Sequence, residues 1–561
     1  MRKNRLKGAI GEAVTRTVAN RLKTVDYRLL AEPFVLRNEK DNAWRCEFWG
    51  KVVRSAVGCA FFTGDAELRA LVDSAVADLM KSRTADGCIS SYPGELQLGG
   101  WDVWGRKYAL LGLIRYYELL NRDPEVLTCC CRAADHLMTQ VGPGKTDILE
   151  CGCHDGLAAS SILGAFVSLY RLTGEEKYRD FARYIISRGC SRLGNIFESA
   201  AAGAVPAALG NGKAYEMTSC FQGLAELALL EPDPGARDTV EKYYRAVLER
   251  EIFVTGGGGL KDRCGEFWYD GAFRQTRGDC GALGETCVTA TWLRYCARIL
   301  QLTDDPKVAD EMEKSLYNAL LGALAPDGTR WVHANPTPLA GGGYKQCADD
   351  QIGRGFGTPY GGNDCCRAQG PEGLVIASEI AVTENENGVT VNLFEPLESD
   401  HLEISGNYPF VPRAVIRFSD PRERVLRLRT PAFLGSVRLN GAAVPFRTGV
   451  YLELPHRAGE CDEVVLDFDF SLAEIPSPDG RGFVAVRRGP LVLAEDSRGE
   501  VPGAAVRETW RGRKLCEYAC AGNLMRQDNT LTVWFGKGNL RENRAKYSQT
   551  IKTSMTAGAK K

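Results

Sequence analysis

The sequence predicts a mainly α-helical protein with a C-terminal β region, namely an (α/α)6 barrel followed by a β-sandwich. Up to about residue 382, apolar residues recur with the period of amphipathic helices, as at Trp49, Val52 and Val53. Beyond that point, short stretches alternate between apolar and polar residues, which is typical of antiparallel strands with one buried face. The change of period divides the chain into a helical part and a strand-rich part.

The helical part repeats one structural unit. An apolar helix end runs into a short turn that carries an Asp, Asn or Thr cap and often a proline, and a second helix follows. The pattern indicates about twelve helices in hairpins, and we expect a closed ring because an open solenoid would show a tighter period. The turns lie at residues 62–65, 120–124, 172–175, 230–234 and 302–306.

The strand-rich part contains the dipeptide Asn440-Gly441, which favours a tight hairpin turn, and Gly489-Pro490 separates two further apolar runs. We therefore predict three regions. Residues 1–382 form the barrel, residues 383–500 form the β-sandwich, and residues 501–561 form a partial β extension that ends in a disordered, Lys-rich tail.

The 561-residue chain has the composition of an ordinary globular protein, with 44% hydrophobic and 25% charged residues. Its formal net charge of -1 provides no field that would attract nucleic acid or a membrane surface. No apolar stretch follows the basic N-terminus, and none approaches the ~18 apolar residues that span a bilayer. We expect a cytosolic protein whose 20 cysteines are reduced thiols or metal ligands. We expect no nucleic-acid or membrane partner, and a homodimer is the one protein assembly that we expect as an option.

Two segments together offer one carboxylate and three thiols. Glu285 and Cys287 are at the predicted start of a helix, and Cys365 and Cys366 are in a glycine-rich loop before a helix expected near Pro371. One carboxylate with three thiolates is a suitable tetrahedral donor set for Zn²⁺. The alternative is a buried loop pair, because chance alone gives roughly 0.7 Cys-Cys pairs in a chain with this many cysteines.

A third segment carries a candidate acid. Four consecutive glycines at residues 256–259 indicate a loop whose backbone comes close to another part of the protein. Glu266 follows, with Phe267 and Trp268 next to it, and a carboxyl beside apolar rings has a raised pKa that suits a general acid. The alternative is an ordinary surface glutamate.

Aromatic and polar residues also gather where helices begin, for example Trp104 with Arg106 and Lys107. Aromatic rings with polar neighbours suit sugars, which have apolar faces and hydroxyl edges. Ordinary core tryptophan is the alternative for each such residue.

At these residues the sequence resembles glycoside hydrolase family 127, the β-L-arabinofuranosidase family. The similar motifs are Gly265-Glu266-Phe267, Glu285-Thr286-Cys287 and Cys365-Cys366, in that order, and the resemblance covers about residues 40–495. It implies a barrel followed by β-sandwich domains. It also implies a zinc ion held by Glu285, Cys287, Cys365 and Cys366, with Cys365 as the nucleophile and Glu266 as the general acid/base. The implied function is a retaining exo-glycoside hydrolase that acts on a small glycoside or oligosaccharide derived from plant polysaccharide.

The sequence departs from the arabinofuranosidase branch at the positions where that branch places histidines against the sugar. Arg106, Ser161 and Lys213 occupy these positions here, and with Trp104 they are candidate substrate contacts. Two cations would favour an acidic sugar, such as the aceric acid that another branch of the family removes. The alternative is that Arg106 pairs with Asp102, and Lys213 with Glu216, as structural ions.

Two other functions are compatible with a barrel of this kind. One is a metal-free (α/α)6 sugar epimerase or uronyl hydrolase, and the other is a carbohydrate-binding protein without catalysis. The presence of Glu266 together with the four candidate zinc ligands favours the hydrolase over both.

Overall fold

The computed structural model describes residues 4–40, 43–261, 265–277, 282–337, 365–385, 388–523 and 530–536. Helices dominate the first part of the chain. They are α1 (Ala9–Asn20), α2 (Tyr27–Leu36), α3 (Cys46–Thr63), α4 (Ala66–Lys81), α5 (Asp102–Leu119), α6 (Pro124–Gln140), α7 (Leu157–Ser160), α8 (Leu163–Thr173), α9 (Glu176–Ser187), α10 (Ile196–Ala201), α11 (Ala214–Leu230), α12 (Pro234–Arg250), α13 (Thr286–Thr303), α14 (Pro306–Lys314), α15 (Leu321–Ala323) and α16 (Cys365–Ala381).

Long helices of the described chain close into an inner ring. In order around the ring they are α3, α5, α8, α11, α13 and α16, and α16 contacts α3 again. An outer helix packs against each inner one: α4 on α3, α6 on α5, α9 on α8, α12 on α11, α14 on α13 and α1 on α16. This arrangement confirms the predicted (α/α)6 barrel.

The five predicted turns connect the inner helices other than α16 to their outer partners. Asp65, Asp123, Asp233 and Asp305 are the N-caps of outer helices, and each side chain accepts hydrogen bonds from backbone N–H groups of the following turn. Such a cap satisfies donors that the helix leaves unpaired and contributes roughly 1 kcal/mol. Because every hairpin reverses the chain, all inner helices run in the same direction.

Two sheets of the C-terminal region form the sandwich. The first contains β1 (Arg5–Leu6), β8 (Leu397–Ser399), β9 (Leu402–Gly406), β10 (Arg413–Phe418), β15 (Asp462–Phe468), β12 (Leu434–Leu439) and β13 (Ala442–Ala443), in that order. The second contains β14 (Tyr451–His456), β11 (Arg424–Arg429), β7 (Gly388–Val391) and β6 (Val382–Asn385). The Phe418 ring of the first sheet contacts the His456 ring of the second at a centroid distance of 4.6 Å, so their inner faces meet. The predicted β-sandwich is confirmed.

A third sheet follows the sandwich. It contains β16 (Leu472–Pro476), β17 (Phe483–Arg488), β18 (Leu491–Asp496), β20 (Arg513–Glu517) and β19 (Arg507–Trp510), with β21 (Leu531–Thr532) on β18 and β22 (Phe535–Gly536) on β17. A short helix, α17 (Tyr518–Asn523), lies between β20 and β21. The predicted Lys-rich tail lies outside the described residues.

A buried ion cluster attaches the sandwich to the barrel. Arg429 of β11 is fully buried and forms salt bridges with Asp310 and Glu313 of α14, the latter at 2.7 Å. The Arg429 Nε also donates to the Asn392 carbonyl at 2.7 Å. Removing one partner of such a buried pair costs roughly 3–5 kcal/mol, so this cluster fixes the two parts against each other.

Within the described ranges, one helical stretch, His154–Thr173, is long and apolar enough to cross a membrane by length and composition, with a mean hydropathy of 1.2. Of that stretch, 72% is buried inside the protein, and Leu163, Phe166 and Leu169 are fully buried in the barrel core. Its hydropathy is therefore explained by its place in the inner ring.

Gly50→Ala is expected to destabilise the barrel, because α3 and α5 meet closely at this residue. A Cβ atom on Gly50 would lie 2.1 Å from the Tyr108 carbonyl oxygen, which belongs to rigid helix backbone. We expect a loss of about 2 kcal/mol or more in unfolding free energy, measured by chemical denaturation. Gly94→Ala is the control, since nothing lies within 4 Å of its Cβ position. Equal stability of the two variants would contradict this account of the helix crossing.

Candidate active site

The N-terminal ends of the inner helices converge on one mouth of the barrel. Backbone N–H groups and the helix dipoles give these ends partial positive charge, so the mouth favours thiolates and carboxylates. The candidate residues at or next to these helix starts are Glu47 on α3, Trp104 on α5, Ser161 before α8, Lys213 before α11, Glu285 and Cys287 on α13, and Cys365 and Cys366 on α16.

A small antiparallel sheet at this mouth supplies the remaining candidate, Glu266. Its order is β3 (Gly265–Glu266), β2 (Gly259–Lys261), β4 (Ala282–Glu285) and β5 (Ala334–Thr337). The glycine-rich loop before β2 does come close to another segment, because a Cβ on Gly284 would lie 3.1 Å from the Gly258 nitrogen. The sequence patterns did not predict these strands, because each has only two to four residues.

The four predicted ligands form one cluster. Glu285, Cys287, Cys365 and Cys366 each offer one donor atom, and these atoms all lie within 4.8 Å of one another. The Cys366 Sγ lies 3.2 Å from Glu285 Oε1, and the Cys365 Sγ lies 3.9 Å from both Glu285 Oε1 and Cys366 Sγ. The structure therefore brings together two segments that are about eighty positions apart in the sequence.

The cluster fits a zinc ion in both chemistry and spacing. Two donors on one tetrahedral zinc lie roughly 3.5–3.8 Å apart, given Zn–S bonds of about 2.3 Å and Zn–O bonds of about 2.0–2.2 Å. The measured separations of 3.2–3.9 Å lie close to that range. In addition, Glu285 Oε2 is buried without a hydrogen-bond partner among the described residues, as expected for an atom that faces a cation.

The two cysteines of the pair are on the first turn of α16 rather than in a loop. The predicted helix was placed near Pro371, but the described helix runs from Cys365 to Ala381 with Pro371 inside it. Proline lacks an N–H and so removes one helical hydrogen bond, yet it is tolerated here within the second turn of a buried helix. The helical start aims both thiols at the cluster and places them in the field of the helix N-terminus.

The three thiols differ in acidity. Hydrogen bonds from the Cys287 and Cys366 thiols, together with the nearby His333, hold the pKa of Cys365 well below its ordinary value. Burial raises the pKa of Cys287 and of Cys366 well above the ordinary value. Cys365 is therefore the thiol of the cluster that loses its proton first, which suits a nucleophile.

Glu266 and Glu285 also differ in charge. Burial alone would raise the pKa of Glu266, but the Lys213 ammonium hydrogen-bonds to this carboxyl and keeps its pKa below the ordinary value. The expectation of a raised pKa at Glu266 was therefore wrong, because the sequence could not show that Lys213 pairs with it. Burial and the nearby Glu266 carboxylate instead raise the pKa of Glu285.

Comparison with known families supports the same assignment. The family model "Beta-L-arabinofuranosidase, GH127 catalytic domain" matches residues 9–379, which span the whole barrel. The chain belongs to glycoside hydrolase family 127. This GH127 member is accordingly a glycoside hydrolase, as the sequence motifs predicted.

Individual GH127 proteins are similar over most of the chain. A non-reducing end β-L-arabinofuranosidase from Bifidobacterium longum subsp. longum is 24% identical over 487 residues, which cover 77% of this chain and 72% of that protein. The crystal structure of a GH127 β-L-arabinofuranosidase from Geobacillus stearothermophilus has 20% identity and a TM-score of 0.76, with 95% of this chain and 99% of that chain covered. Another GH127 β-arabinofuranosidase structure has 16% identity and a TM-score of 0.74, with coverages of 95% and 96%. The fold is that of the family.

Among the predicted substrate contacts, Arg106 is separated from the cluster by its own partners. Its guanidinium binds Asp102 at 2.8 Å and donates to Gln140 of the outer helix α6 at 2.8 Å. These contacts support the alternative reading of Arg106 as a structural ion. Lys213 does lie at the site, but its charge is shared between Glu266 and, at 3.8 Å, Glu216.

Trp104 and Ser161 belong to the floor of the mouth. Trp104 is 2% exposed and packs edge-on against Tyr108 and Tyr215, so its ring is buried rather than open to a sugar. The Trp104 Nε1 donates to Glu47 Oε2 at 2.5 Å. Ser161 accepts a hydrogen bond from the Lys107 ammonium at 3.1 Å, and that ammonium lies 4.1 Å from the Trp104 ring centroid.

The sequence patterns missed two residues of this site, Lys51 and His333. Lys51 forms an i,i+4 ion pair with Glu47 at 3.1 Å inside α3, and burial raises the pKa of Glu47 to about 7. The signal for Lys51 was present, since Glu47, Lys51 and Arg54 are charged residues in an otherwise mostly apolar helix. His333 lies 3.3 Å from the Cys366 Sγ through Nδ1. No motif marks His333, because only the pairing of β4 with β5 brings it there.

Lys107→Met is expected to stabilise the GH127 barrel at neutral pH. Burial lowers the pKa of Lys107 from 10.5 to about 7. Below about pH 7 the folded protein must bury a charged Lys107, which lowers the free energy of unfolding. Between about pH 7 and 10.5 the folded protein holds Lys107 neutral while the unfolded chain keeps it protonated, so the free energy of unfolding rises over this range. We expect the variant to gain on the order of 2–4 kcal/mol at pH 7 and to lose the rise in stability over that window. Denaturant unfolding at several pH values measures this difference.

Lys51→Met is the matched control, because Lys51 neutralises a buried carboxylate whereas Lys107 has no carboxylate within ion-pair distance in the described chain. The control variant should lose stability at pH 7. A Lys107→Met protein that is less stable than wild type at pH 7, or that keeps the same pH dependence, would contradict the assignment.

Proposed function

We propose that the protein is a retaining exo-glycoside hydrolase that uses a zinc-bound cysteine nucleophile on L-arabinofuranosides. Zinc would be held by Glu285, Cys287, Cys365 and Cys366. The observation that carries the proposal is the convergence of these donors with Glu266 at one mouth of a GH127 barrel. Among them, Cys365 is proposed as the nucleophile and Glu266 as the general acid/base.

A bound zinc ion would keep the cysteine ligands deprotonated. It would also lower the basicity of the Cys365 sulfur, which makes this sulfur a better leaving group in the second step. In the first step, the Cys365 sulfur forms a bond to the anomeric carbon while the bond from that carbon to the departing oxygen breaks. Glu266 donates its proton to that oxygen. The product of this step is a sugar joined to Cys365 through a thioether bond.

In the second step, a water oxygen attacks the anomeric carbon, Glu266 takes a proton from this water, and the carbon–sulfur bond breaks. The electron pair returns to Cys365 as thiolate, and two inversions give net retention. Lys213 holds the Glu266 carboxyl in place and favours its ionised form. In the substrate-free site Glu266 is therefore mainly ionised, as the second step requires of a base. The first step requires the less populated, protonated form of Glu266.

The pairing of the two predicted substrate-binding cations favours a neutral sugar. An acidic sugar would need a cation whose charge is available, but among the described residues Arg106 is paired with Asp102, and Lys213 with Glu266 and Glu216. The characterised relatives are described as β-L-arabinofuranosidases, which are enzymes for a neutral sugar. We therefore place L-arabinofuranosides before acidic sugars such as aceric acid.

We also propose that the protein resides in the cytosol. All cysteines of the described residues are free thiols, which fits a reducing compartment. Fractionation of cells that express the full chain tests this proposal, and recovery outside the cytosol would refute it.

Cys365→Ser is expected to lower turnover of an aryl β-L-arabinofuranoside by on the order of a thousandfold or more, because a serine hydroxyl is not ionised at neutral pH. Sugar binding, measured by calorimetry, should persist. NMR of the wild-type reaction should show that the first product formed retains the anomeric configuration. Cys461→Ser is the control, since Cys461 is exposed. Unchanged turnover in Cys365→Ser would show that Cys365 is not the nucleophile. An inverted first product would rule out the two-step mechanism, and a higher kcat/KM of the wild type on an acidic-sugar glycoside would overturn the proposed substrate class.

Glu266→Gln is expected to separate the two steps. An alkyl aglycone needs protonation as it leaves, so its kcat/KM should fall by at least about a hundredfold. A nitrophenyl aglycone leaves without protonation, so the variant should release one equivalent of nitrophenol rapidly. Turnover should then stop at the glycosyl-enzyme, because no base activates water. Azide needs no such base, and it should restore turnover by attacking the anomeric carbon instead of water. Stopped-flow absorbance measures the burst. Glu198→Gln on the surface of α10 serves as the control, and equal losses on both aglycones would argue against an acid/base role.

A further inference from the structure

His333 lies against the metal cluster although it is not among the predicted ligands. Its Nδ1 is 3.3 Å from the Cys366 Sγ and 3.9 Å from the Cys365 Sγ. Its Nε2 is 3.8 Å from Glu285 Oε1. The ring therefore faces three of the four donors, and its side chain is only 14% exposed.

These separations are those of donors that share one ion. A nitrogen and a sulfur on one tetrahedral zinc lie roughly 3.6 Å apart, given Zn–N bonds of about 2.0–2.1 Å and Zn–S bonds of about 2.3 Å. The two distances from His333 Nδ1 to the thiols, 3.3 and 3.9 Å, lie on either side of this value. His333 thus lies beside a group of four donors, which is the number that structural and catalytic zinc sites usually use, counting protein and water ligands.

The backbone fixes His333 next to the ligands of α13. Strand β4 pairs with β5 so that Glu285 lies opposite Ala334, the residue that follows His333. The His333 carbonyl also accepts a hydrogen bond from the Thr286 N–H at 3.3 Å. His333 is therefore anchored to the segment that carries Glu285 and Cys287, and its position does not depend on Cys365.

We infer that His333 is an exchangeable ligand that takes the place of Cys365 while the Cys365 sulfur is bonded to the sugar. This inference rests on the proposed function. When the carbon–sulfur bond forms, Cys365 changes from a thiolate to a thioether, which is a much weaker zinc ligand. Glu285, Cys287 and Cys366 alone would leave the ion one protein donor short, and His333 supplies that donor.

The exchange also explains how a ligand can act as the nucleophile. A neutral imidazole would replace an anionic thiolate when the sulfur gives its electron pair to carbon. When water releases the sugar, the electron pair returns to the Cys365 sulfur, and this thiolate could again hold a bound ion in place of His333. The protein itself would then supply the missing donor in both steps.

The test is zinc affinity in a set of variants, with no turnover required. Cys365→Ala mimics the state in which the sulfur is engaged, and a chelator competition gives the dissociation constant. We expect His333→Ala alone to change zinc affinity by less than about threefold. In the Cys365→Ala background, the same substitution should weaken binding by at least about a further tenfold to a hundredfold. X-ray absorption should show one sulfur replaced by one nitrogen when Cys365→Ala is compared with wild type.

Two further variants control for folding and for general effects. His333→Phe keeps an aromatic ring without a donor and should reproduce His333→Ala in both backgrounds. His136→Ala should have no effect in either background, because His136 is on the outer helix α6 and pairs with Asp86 at 3.3 Å.

Three results would overturn the inference. Equal affinity of Cys365→Ala with and without His333 would show that His333 is no ligand. An equal loss from His333→Ala in both backgrounds would make it a permanent ligand rather than an exchangeable one. A wild-type protein that binds no zinc would overturn the proposed zinc site as well, which distinguishes failure of the proposed function from failure of the role of His333.

Discussion

The site depends on the parallel orientation of the inner helices, which brings their N-terminal ends together at one mouth of the barrel. The hairpin turns are short, and four of the five predicted turns carry an aspartate cap, so the chain returns on the outside and begins every inner helix at the same end. The partial positive charges of these ends add up where the thiols and carboxylates gather. A cluster of one carboxyl and three thiols is tolerable in a buried position because of this field and because the group can bind a cation.

Pairing of charges decides which groups can react. In the floor and wall of the mouth, Lys51 is matched by Glu47, and Lys213 is matched by Glu266. Lys107 differs because burial, the largest influence on it, lowers its pKa to about 7 and so favours its neutral form. The proposed nucleophile is the Cys365 sulfur, whose neighbours favour its ionised form in an otherwise desolvated cluster. Buried ion pairs of this kind add little net stability, but they hold the side chains of the mouth in a defined geometry.

The sequence predicted the fold and the cluster of one carboxyl and three thiols, because both depend on short local patterns. Helical period and capping aspartates indicate the hairpins, and Glu285, Cys287, Cys365 and Cys366 are in two short motifs that the barrel brings together. What the sequence could not predict depends on long-range contacts. Strands of two to four residues have no readable period, so the small sheet and the position of His333 were missed. The charge of Glu266 was misjudged for the same reason, since Lys213 lies 53 positions away.

Anomalous diffraction from crystals of the 561-residue protein, measured above and below the zinc absorption edge, tests the proposed zinc site most directly. We expect one strong peak, about 2.3 Å from the sulfurs of Cys287, Cys365 and Cys366 and about 2.0–2.2 Å from a Glu285 oxygen, in protein that is active. Active crystals without such a peak, or with a disulfide among these cysteines, would contradict it.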